Sequence, residues 1–307
     1  MHTRSIGSLD VSVVGLGCNN FGRKLDAAGT ARVVHAALDG GITFFDTADS
    51  YGDTQSEVFL GRALAGRRNE VVVATKFGSK LDEHRHGASP AYIRRAVEDS
   101  LRRLKTDRID LYQLHWPDPA VPIADTLGAL DELVKAGKVR EIGCSNFSPA
   151  QLREADQAAR PGAAKFASLQ NEYSLLHRAP EPEILPLCQT LGMAFIPYFP
   201  LASGMLTGKY RKGQPPPPGS RIAEGRHADL FNGHNLDIVG QLIAFSEERG
   251  HTILQLAFSW LLQRPAVASV IAGATTPEQV RANAAAADWT LSDGELGEVD
   301  VRLRAES

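Results

Sequence analysis

Short apolar runs bounded by glycine, proline or polar residues alternate along this chain with longer segments whose apolar positions recur every three or four residues. Residues 5–13 alternate around Gly7-Ser8 and predict a small hairpin, and residues 13–17 read as the first buried strand. A helix follows over 27–39, with Val33, Val34, Ala37 and Leu38 on one face. The stretch 43–51, Thr-Phe-Phe-Asp-Thr-Ala-Asp-Ser-Tyr, opens as a strand and stops at Asp46. Further strands are expected over 71–75, 109–114, 139–143, 167–170, 194–198 and 268–271. The intervening helices are expected over 56–65, 90–104, 123–135, from Ser148-Pro149 onward, 183–191, 236–248, 252–263 and 277–287, the last being the final major helix. Ser89 is the expected N-cap of the third, with Pro90 in its first turn.

Eight strand-then-helix units run without a reversal of order. Strands apolar on both faces and separated by helices imply an all-parallel sheet. Eight such units in a chain of this length match a (β/α)₈ TIM barrel, here a single domain over 1–307 with an N-terminal β-hairpin. An open doubly wound sheet would require Gly-x-Gly-x-x-Gly after the first strand. Gly15-Leu-Gly17-Cys-Asn-Asn20 places Asn at the third position, and no helix starts there. Residues 211–231, with prolines at 215–218, form a loop after the seventh barrel strand that is too long for a routine connection and reads as a functional lid or a disordered segment, with an inert surface insertion as the alternative.

Composition changes this picture little. Thirty-three Lys and Arg against 36 Asp and Glu give a net charge of −3, which offers no basis for nucleic acid or an anionic membrane as partner. The most hydrophobic stretch, 193–206, is broken by Pro197 and Pro200, so no run is long enough to cross a bilayer. With no apolar signal-peptide core at the N-terminus, the expected location is cytoplasmic. Cys18, Cys144 and Cys188 read as free thiols, and His84 and His86 as solvated residues with no third ligand, so no metal is expected. Nothing in the chain distinguishes a monomer from a homo-oligomer.

Chemistry concentrates where strands end. Asp46, Tyr51, Lys76 and His115 follow three consecutive strands, so in a parallel sheet they converge on one patch at the C-terminal mouth. A phenol can act as a general acid at neutral pH if a cation stabilises the phenolate, and Lys76, anchored by Asp46, supplies one. His115 can hold a carbonyl oxygen beside Tyr51. This set polarises and protonates a carbonyl but contains no nucleophile, unless Lys76 itself forms a Schiff base as in an aldolase. The remaining strand-end loops favour a dinucleotide that delivers hydride. Ser145, Asn146 and Gln170 offer carboxamide partners, and Tyr198 an aromatic face. Residues 200–209 suit a pyrophosphate, and 273–279 precede a helix N-terminus of the kind that binds phosphate in barrels. Asn20, Phe21, Phe77, Trp116, Phe147 and the 211–231 loop are the expected pocket walls, the aromatics suiting ring-shaped carbonyls and Asn19, Asn20 and Arg23 suiting sugars or polyols.

These motifs resemble those of the aldo-keto reductase family over nearly the whole chain, closest to its bacterial and potassium-channel β-subunit-like branch. The matching stretches are 46–52 with Glu57, Leu60-Gly61 and Leu64; Thr75-Lys76; 111–117; 137–147; 170–173; 198–201; and 273–283. The resemblance implies a catalytic tetrad of Asp46, Tyr51, Lys76 and His115 and reduction of an aldehyde or ketone by NADPH, with Tyr51 as proton donor. It further implies carboxamide contacts from Ser145, Asn146 and Gln170, stacking on Tyr198, and pyrophosphate contacts from Leu201, Ser203, Gly204 and Lys209, with Ser220-Arg221 closing over them. Gly273, Thr275, Gln279 and Asn283 would hold the adenosine end. A redox-sensing or interaction role is the rival that the channel-associated branch suggests. Many members carry Arg or Lys where this chain has Thr275-Thr276, which leaves NADPH and NADH as alternatives; Lys209, Arg221 and Arg281 are the candidate replacements.

Overall fold

Strands β1 (Thr3–Ile6) and β2 (Leu9–Ser12) form the expected antiparallel hairpin, with Ile6 opposite Leu9 across Gly7-Ser8. Eight parallel strands follow: β3 (Val14–Gly17), β4 (Phe44–Asp46), β5 (Val72–Phe77), β6 (Ile109–Leu114), β7 (Val139–Ser145), β8 (Phe166–Glu172), β9 (Ala194–Tyr198) and β10 (Val270–Gly273). Each pairs with the next, and β10 pairs with β3. Phe195 closes the ring: its N–H donates to the Ala266 carbonyl at 2.7 Å, and its own carbonyl accepts from the Ala268 N–H at 3.0 Å. The computed structural model describes residues 1–304; residues 305–307, counted in the expected domain, lie outside the described residues.

Side-chain alternation explains why this barrel has an apolar floor and a polar mouth. Phe44 and Asp46 share one face of β4; Val72, Ala74 and Lys76 share one face of β5; Leu111 and Gln113 share one face of β6. The lower members of each set pack with Ile6, Leu9 and Val11 of the hairpin, which plugs the N-terminal end of the barrel. The upper members, Asp46, Lys76 and Gln113, are buried polar groups at the other end. The opposite parity faces the helices and supplies the larger apolar layer.

The helical shell comprises α1 (Ala27–Asp39), α2 (Gln55–Ala63), α3 (Pro90–Leu104), α4 (Ile123–Lys135), α5 (Pro149–Ala158), α6 (Ile184–Leu191), α7 (Gly233–Glu247), α8 (Ile253–Leu262), α9 (Pro277–Ala284) and α10 (Asp293–Arg304). Ser89 caps α3 as its sequence predicts, accepting from the Tyr92 N–H, with Pro90 in the first turn. Several boundaries differ from expectation: β7 runs on to Ser145, β8 spans Phe166–Glu172 and α7 starts at Gly233. Strand β5 runs on through Lys76 and Phe77, which pair with Gln113 and Leu114, because a buried charge at a strand end need not leave the ladder. The 277–287 segment is not the last major helix: α9 ends at Ala284 in a 3₁₀ turn, and α10 follows.

Candidate active site

At the mouth of the barrel Lys76, with no solvent exposure, donates to Asp46 Oδ2 at 2.6 Å and to the Thr47 carbonyl at 2.9 Å. Its third direction points to the Tyr51 hydroxyl at 3.5 Å. Asp46 Oδ1 accepts from Gln113 Nε2 at 3.2 Å and from Gln170 Nε2 at 3.0 Å. Both carboxylate oxygens are therefore occupied, which is the condition under which a buried ion pair is tolerated. Burial alone would push the Lys76 ammonium down, but Asp46 and Tyr51 together outweigh it and raise the ammonium above its ordinary value. Burial also raises the Tyr51 phenol, and the Lys76 charge pulls it partly back. A proton on Tyr51 is thus held at neutral pH with a cation beside it.

The His115 ring stands edge-on to Tyr51, with centroids 5.9 Å apart. Burial, with Lys76 adding to it, pushes the imidazole down to about 3, so it is neutral across the physiological range. Its Nδ1 lies 2.9 Å from the Ser79 hydroxyl, leaving Nε2 as the free ring nitrogen. Behind this layer Thr75 donates to Glu57 Oε1 at 2.6 Å, and Arg103 donates to Glu57 Oε2 at 2.6 Å, tying β5 to α2 and α3. Gln113, Ser79 and this Glu57–Arg103 pair had no assigned role in the sequence reading. Alternation two residues before His115 marks Gln113 as facing into the barrel; for Ser79, in a loop, no comparable signal exists.

A cavity of about 570 Å³ extends from Trp116 to Asn283, of the size that holds a small-molecule ligand or cofactor. Asp46, Tyr51 and His115 line it, while Lys76 lies beneath. Ser145, Asn146, Gln170 and Tyr198 form one wall, joined in a hydrogen-bonded string. Ser145 Oγ donates to the Gln170 carbonyl at 2.7 Å, and Tyr198 donates to Asn146 Oδ1 at 2.9 Å. Leu201, Ser203, Gly204, Lys209 and Arg221 line the middle, and Gly273, Thr275, Gln279 and Asn283 the far end. Of the four expected substrate contacts, Asn20 and Trp116 line the cavity, Trp116 being 53% exposed and stacked near His115 at 6.2 Å. Phe21 and Phe77 do not. Phe77 follows the inward Lys76, so it points outward and stacks on Tyr112 at 4.6 Å, and Phe21 is fully buried in the layer beneath the helices. Phe147 is likewise turned away, packed edge-on against Phe166 at 5.7 Å.

The middle of the cavity has the chemistry of an anion cradle. Ser203, in the left-handed region at φ 56°, has a buried hydroxyl with no protein partner. A Cβ on Gly204 would meet Lys209 Nζ at 2.8 Å, and one on Gly273 would meet Asn19, Asn20 and Arg221 between 3.1 and 3.6 Å. Only glycine leaves this channel open at both points. Asn19 Oδ1 is a second buried atom without a partner there. The 211–231 loop contributes Gly219, Ser220 and Arg221 to the wall, and Glu224 pairs with Lys24 at 2.9 Å across the channel. These groups fit a pyrophosphate flanked by a carboxamide-binding wall and an adenosine pocket.

Comparisons with known proteins match the chain over nearly its whole length. The model of the Aldo/keto reductase family matches residues 13–303. The chain is 35% identical to the aldo-keto reductase YhdN of Bacillus subtilis, covering 96% of this chain and 91% of that protein. It is 36% identical to the probable aldo-keto reductase 1 of Glycine max, covering 94% and 85%. Among solved structures, the glycerol dehydrogenase AKR11B4 from Gluconobacter oxydans superposes with a TM-score of 0.86 at 33% identity, covering 98% of this chain and 94% of that one.

Proposed function

This chain belongs to the aldo/keto reductase family, and from that premise we propose that it reduces an aldehyde or ketone to the alcohol with NADPH. The observation that carries the reading is the buried ammonium of Lys76, held between the Asp46 carboxylate and the Tyr51 hydroxyl on the floor of a dinucleotide-sized cavity. When bound, the nicotinamide supplies the hydride. Tyr51 gives its proton to the carbonyl oxygen, and Lys76 stabilises the phenolate that remains. Asp46 fixes the ammonium, and Gln113 and Gln170 fix Asp46. With Nδ1 engaged by Ser79, neutral His115 presents Nε2 to the same carbonyl oxygen and orients it without competing for the proton. Ser145, Asn146 and Gln170 would hold the carboxamide, Tyr198 would offer its ring to the nicotinamide, and Ser203, Gly204, Leu201 and Lys209 would hold the pyrophosphate. Gly273, Thr275, Gln279 and Asn283 would hold the adenosine end.

For substrate we propose a small carbonyl, sugar-like or aromatic. Trp116 and Phe199 provide apolar faces, and Asn19 and Asn20 provide amides. The glycerol dehydrogenase among the solved relatives is consistent with the hydroxylated end of that range. A Schiff-base aldolase is disfavoured by the same geometry: an amine nucleophile must be neutral and accessible, whereas Lys76 is buried, paired and raised. A panel of aldehydes and ketones tested with both reduced cofactors decides the matter. Oxidation of cofactor that depends on substrate supports the reading, and cofactor binding with no turnover on any carbonyl leaves a binding protein instead.

A further inference from the structure

Two hydrogen bonds fix the backbone at His115: its N–H donates to the Phe77 carbonyl at 2.9 Å, and its carbonyl accepts from Asn146 Nδ2 at 3.0 Å. The imidazole keeps two freedoms that neither bond touches, rotation of the ring and the choice of nitrogen that carries the proton. Ser79 acts on both. Its hydroxyl lies 2.9 Å from Nδ1 and has no other hydrogen-bond partner among the described residues. A serine hydroxyl rotates to suit its neighbour, donating to a bare nitrogen or accepting from a protonated one.

The loop that carries Ser79 is built to hold it there. The Gly87 N–H donates to the Gly78 carbonyl at 3.0 Å, which closes residues 78–87 into a compact loop, and Asp82 fastens its exposed tip to His84 and Arg85. Asp118, two residues beyond Trp116, ties the foot of this loop to the one that follows β6. Its Oδ2 accepts from the Ala88 N–H at 2.8 Å and its Oδ1 from the Ala120 N–H at 3.0 Å. A Cβ on Gly87 would meet Asp118 Oδ2 at 2.6 Å, so this close approach needs glycine. The Ala88 carbonyl also accepts from the Thr126 hydroxyl of α4 at 3.1 Å. Ser79 and His115 thus stand on two segments that Asp118 joins.

The other ring nitrogen decides which way the Ser79 proton points. With Nδ1 facing Ser79, Nε2 is left for the cavity that His115 and Tyr51 both line. A carbonyl oxygen there is an acceptor. A bare Nε2 would repel it and compete for the Tyr51 proton, whereas Nε2–H donates to it beside the phenol. Which nitrogen is protonated follows from the hydrogen bond that the other one makes.

Resting on the carbonyl-reductase reading above, we propose that Ser79 is a positioning residue for that reaction: its hydroxyl donates to His115 Nδ1 and locks the imidazole as the Nε2–H tautomer, with Asp118 keeping Ser79 in place. The proton is read directly by two-bond 1H–15N correlation on protein labelled at its nine histidines, the spectrum of His115→Asn identifying the His115 signals. Wild type should show a protonated Nε2 and a bare Nδ1. Ser79→Ala should replace that single form by an exchanging mixture and lower kcat/KM for a carbonyl about three- to tenfold, the share of one neutral hydrogen bond. NADPH affinity should stay within about twofold, because Ser79 lies outside the dinucleotide wall. Ser79→Thr keeps the hydroxyl and should restore both tautomer and rate. Asp118→Ala should lower kcat/KM alone but add nothing in the Ser79→Ala background, since it acts through Ser79. A protonated Nδ1 in wild type overturns the assignment, as does Ser79→Ala with tautomer and kcat/KM unchanged, and additive losses overturn the part given to Asp118. The correlation needs no turnover, so the expected tautomer in a protein that reduces no carbonyl overturns the reductase reading and leaves the Ser79 lock standing.

Discussion

Lys76 Nζ lies 3.5 Å from the Tyr51 hydroxyl, with the ammonium over the edge of the phenol ring at 5.1 Å from its centroid. Neither group titrates alone in such an arrangement. Burial favours the neutral phenol, the cation favours the phenolate, and the balance keeps the proton on oxygen until a carbonyl can take it.

Tyr51→Phe removes that proton and leaves the cavity wall otherwise intact. Turnover should fall by about two to four orders of magnitude, the usual share of a general acid. Affinity for NADPH, followed by fluorescence quenching, should stay within about threefold of wild type, because the dinucleotide contacts lie along β7, β8 and the far wall. Unchanged turnover would remove Tyr51 from its role.

Lys76→Met deletes the cation and leaves the Asp46 carboxylate buried with only two amide donors. Breaking a buried pair in this way costs about 3–5 kcal/mol. A second change, Asp46→Asn in the Lys76→Met background, should restore a large part of the lost thermal stability while restoring no activity. If the single variant melts with wild type, the pair contributes no net stability and Lys76 is retained for chemistry alone.

Much of this site is legible in the chain because a parallel strand states its own direction. A β-branched run closed by Asp46, Lys76 or His115 places those groups at the C-terminal mouth without any knowledge of the loops. The outward turn of Phe77 follows from alternation through the strand end: if Lys76 faces the barrel axis, its neighbour faces the helices. Phe21 offers no such cue, since a loop residue carries no period. Helix α10 is not legible because Gly294 and Gly297 interrupt a segment with few apolar positions; it packs on α7, and its Val299 is fully buried. The Lys24–Glu224 pair joins residues 200 positions apart, and no local pattern encodes it.

Trp116 is one of the few large apolar side chains exposed on this protein, and it sits on the cavity rim rather than in the core. If it is a platform for substrate, Trp116→Ala should raise KM for aromatic aldehydes about three- to tenfold, the range of one aromatic contact, with kcat nearly unchanged. Small hydroxylated carbonyls should be affected less. Equal kinetics on both classes would mean that the ring merely covers His115.

Asp49 is 1% exposed, and neither carboxyl oxygen has a side-chain partner among the described residues. Burial raises it from 3.8 to about 7 and Glu57 adds to the rise, while Arg103, the neighbouring Ser50 backbone N–H and Lys76 oppose it. The folded state therefore binds a proton that the unfolded chain has already lost between about pH 4 and pH 7, and stability falls as pH rises through that window. Above it the penalty is constant, at most about 4 kcal/mol for a shift of this size. Asparagine imitates the protonated carboxyl and has nothing to titrate. The melting temperature of Asp49→Asn minus that of wild type should accordingly be near zero at pH 4 and increasingly positive toward pH 8, measured by calorimetry across the range. A difference that does not vary with pH would mean that Asp49 finds a donor in the folded protein and ionises as an ordinary aspartate.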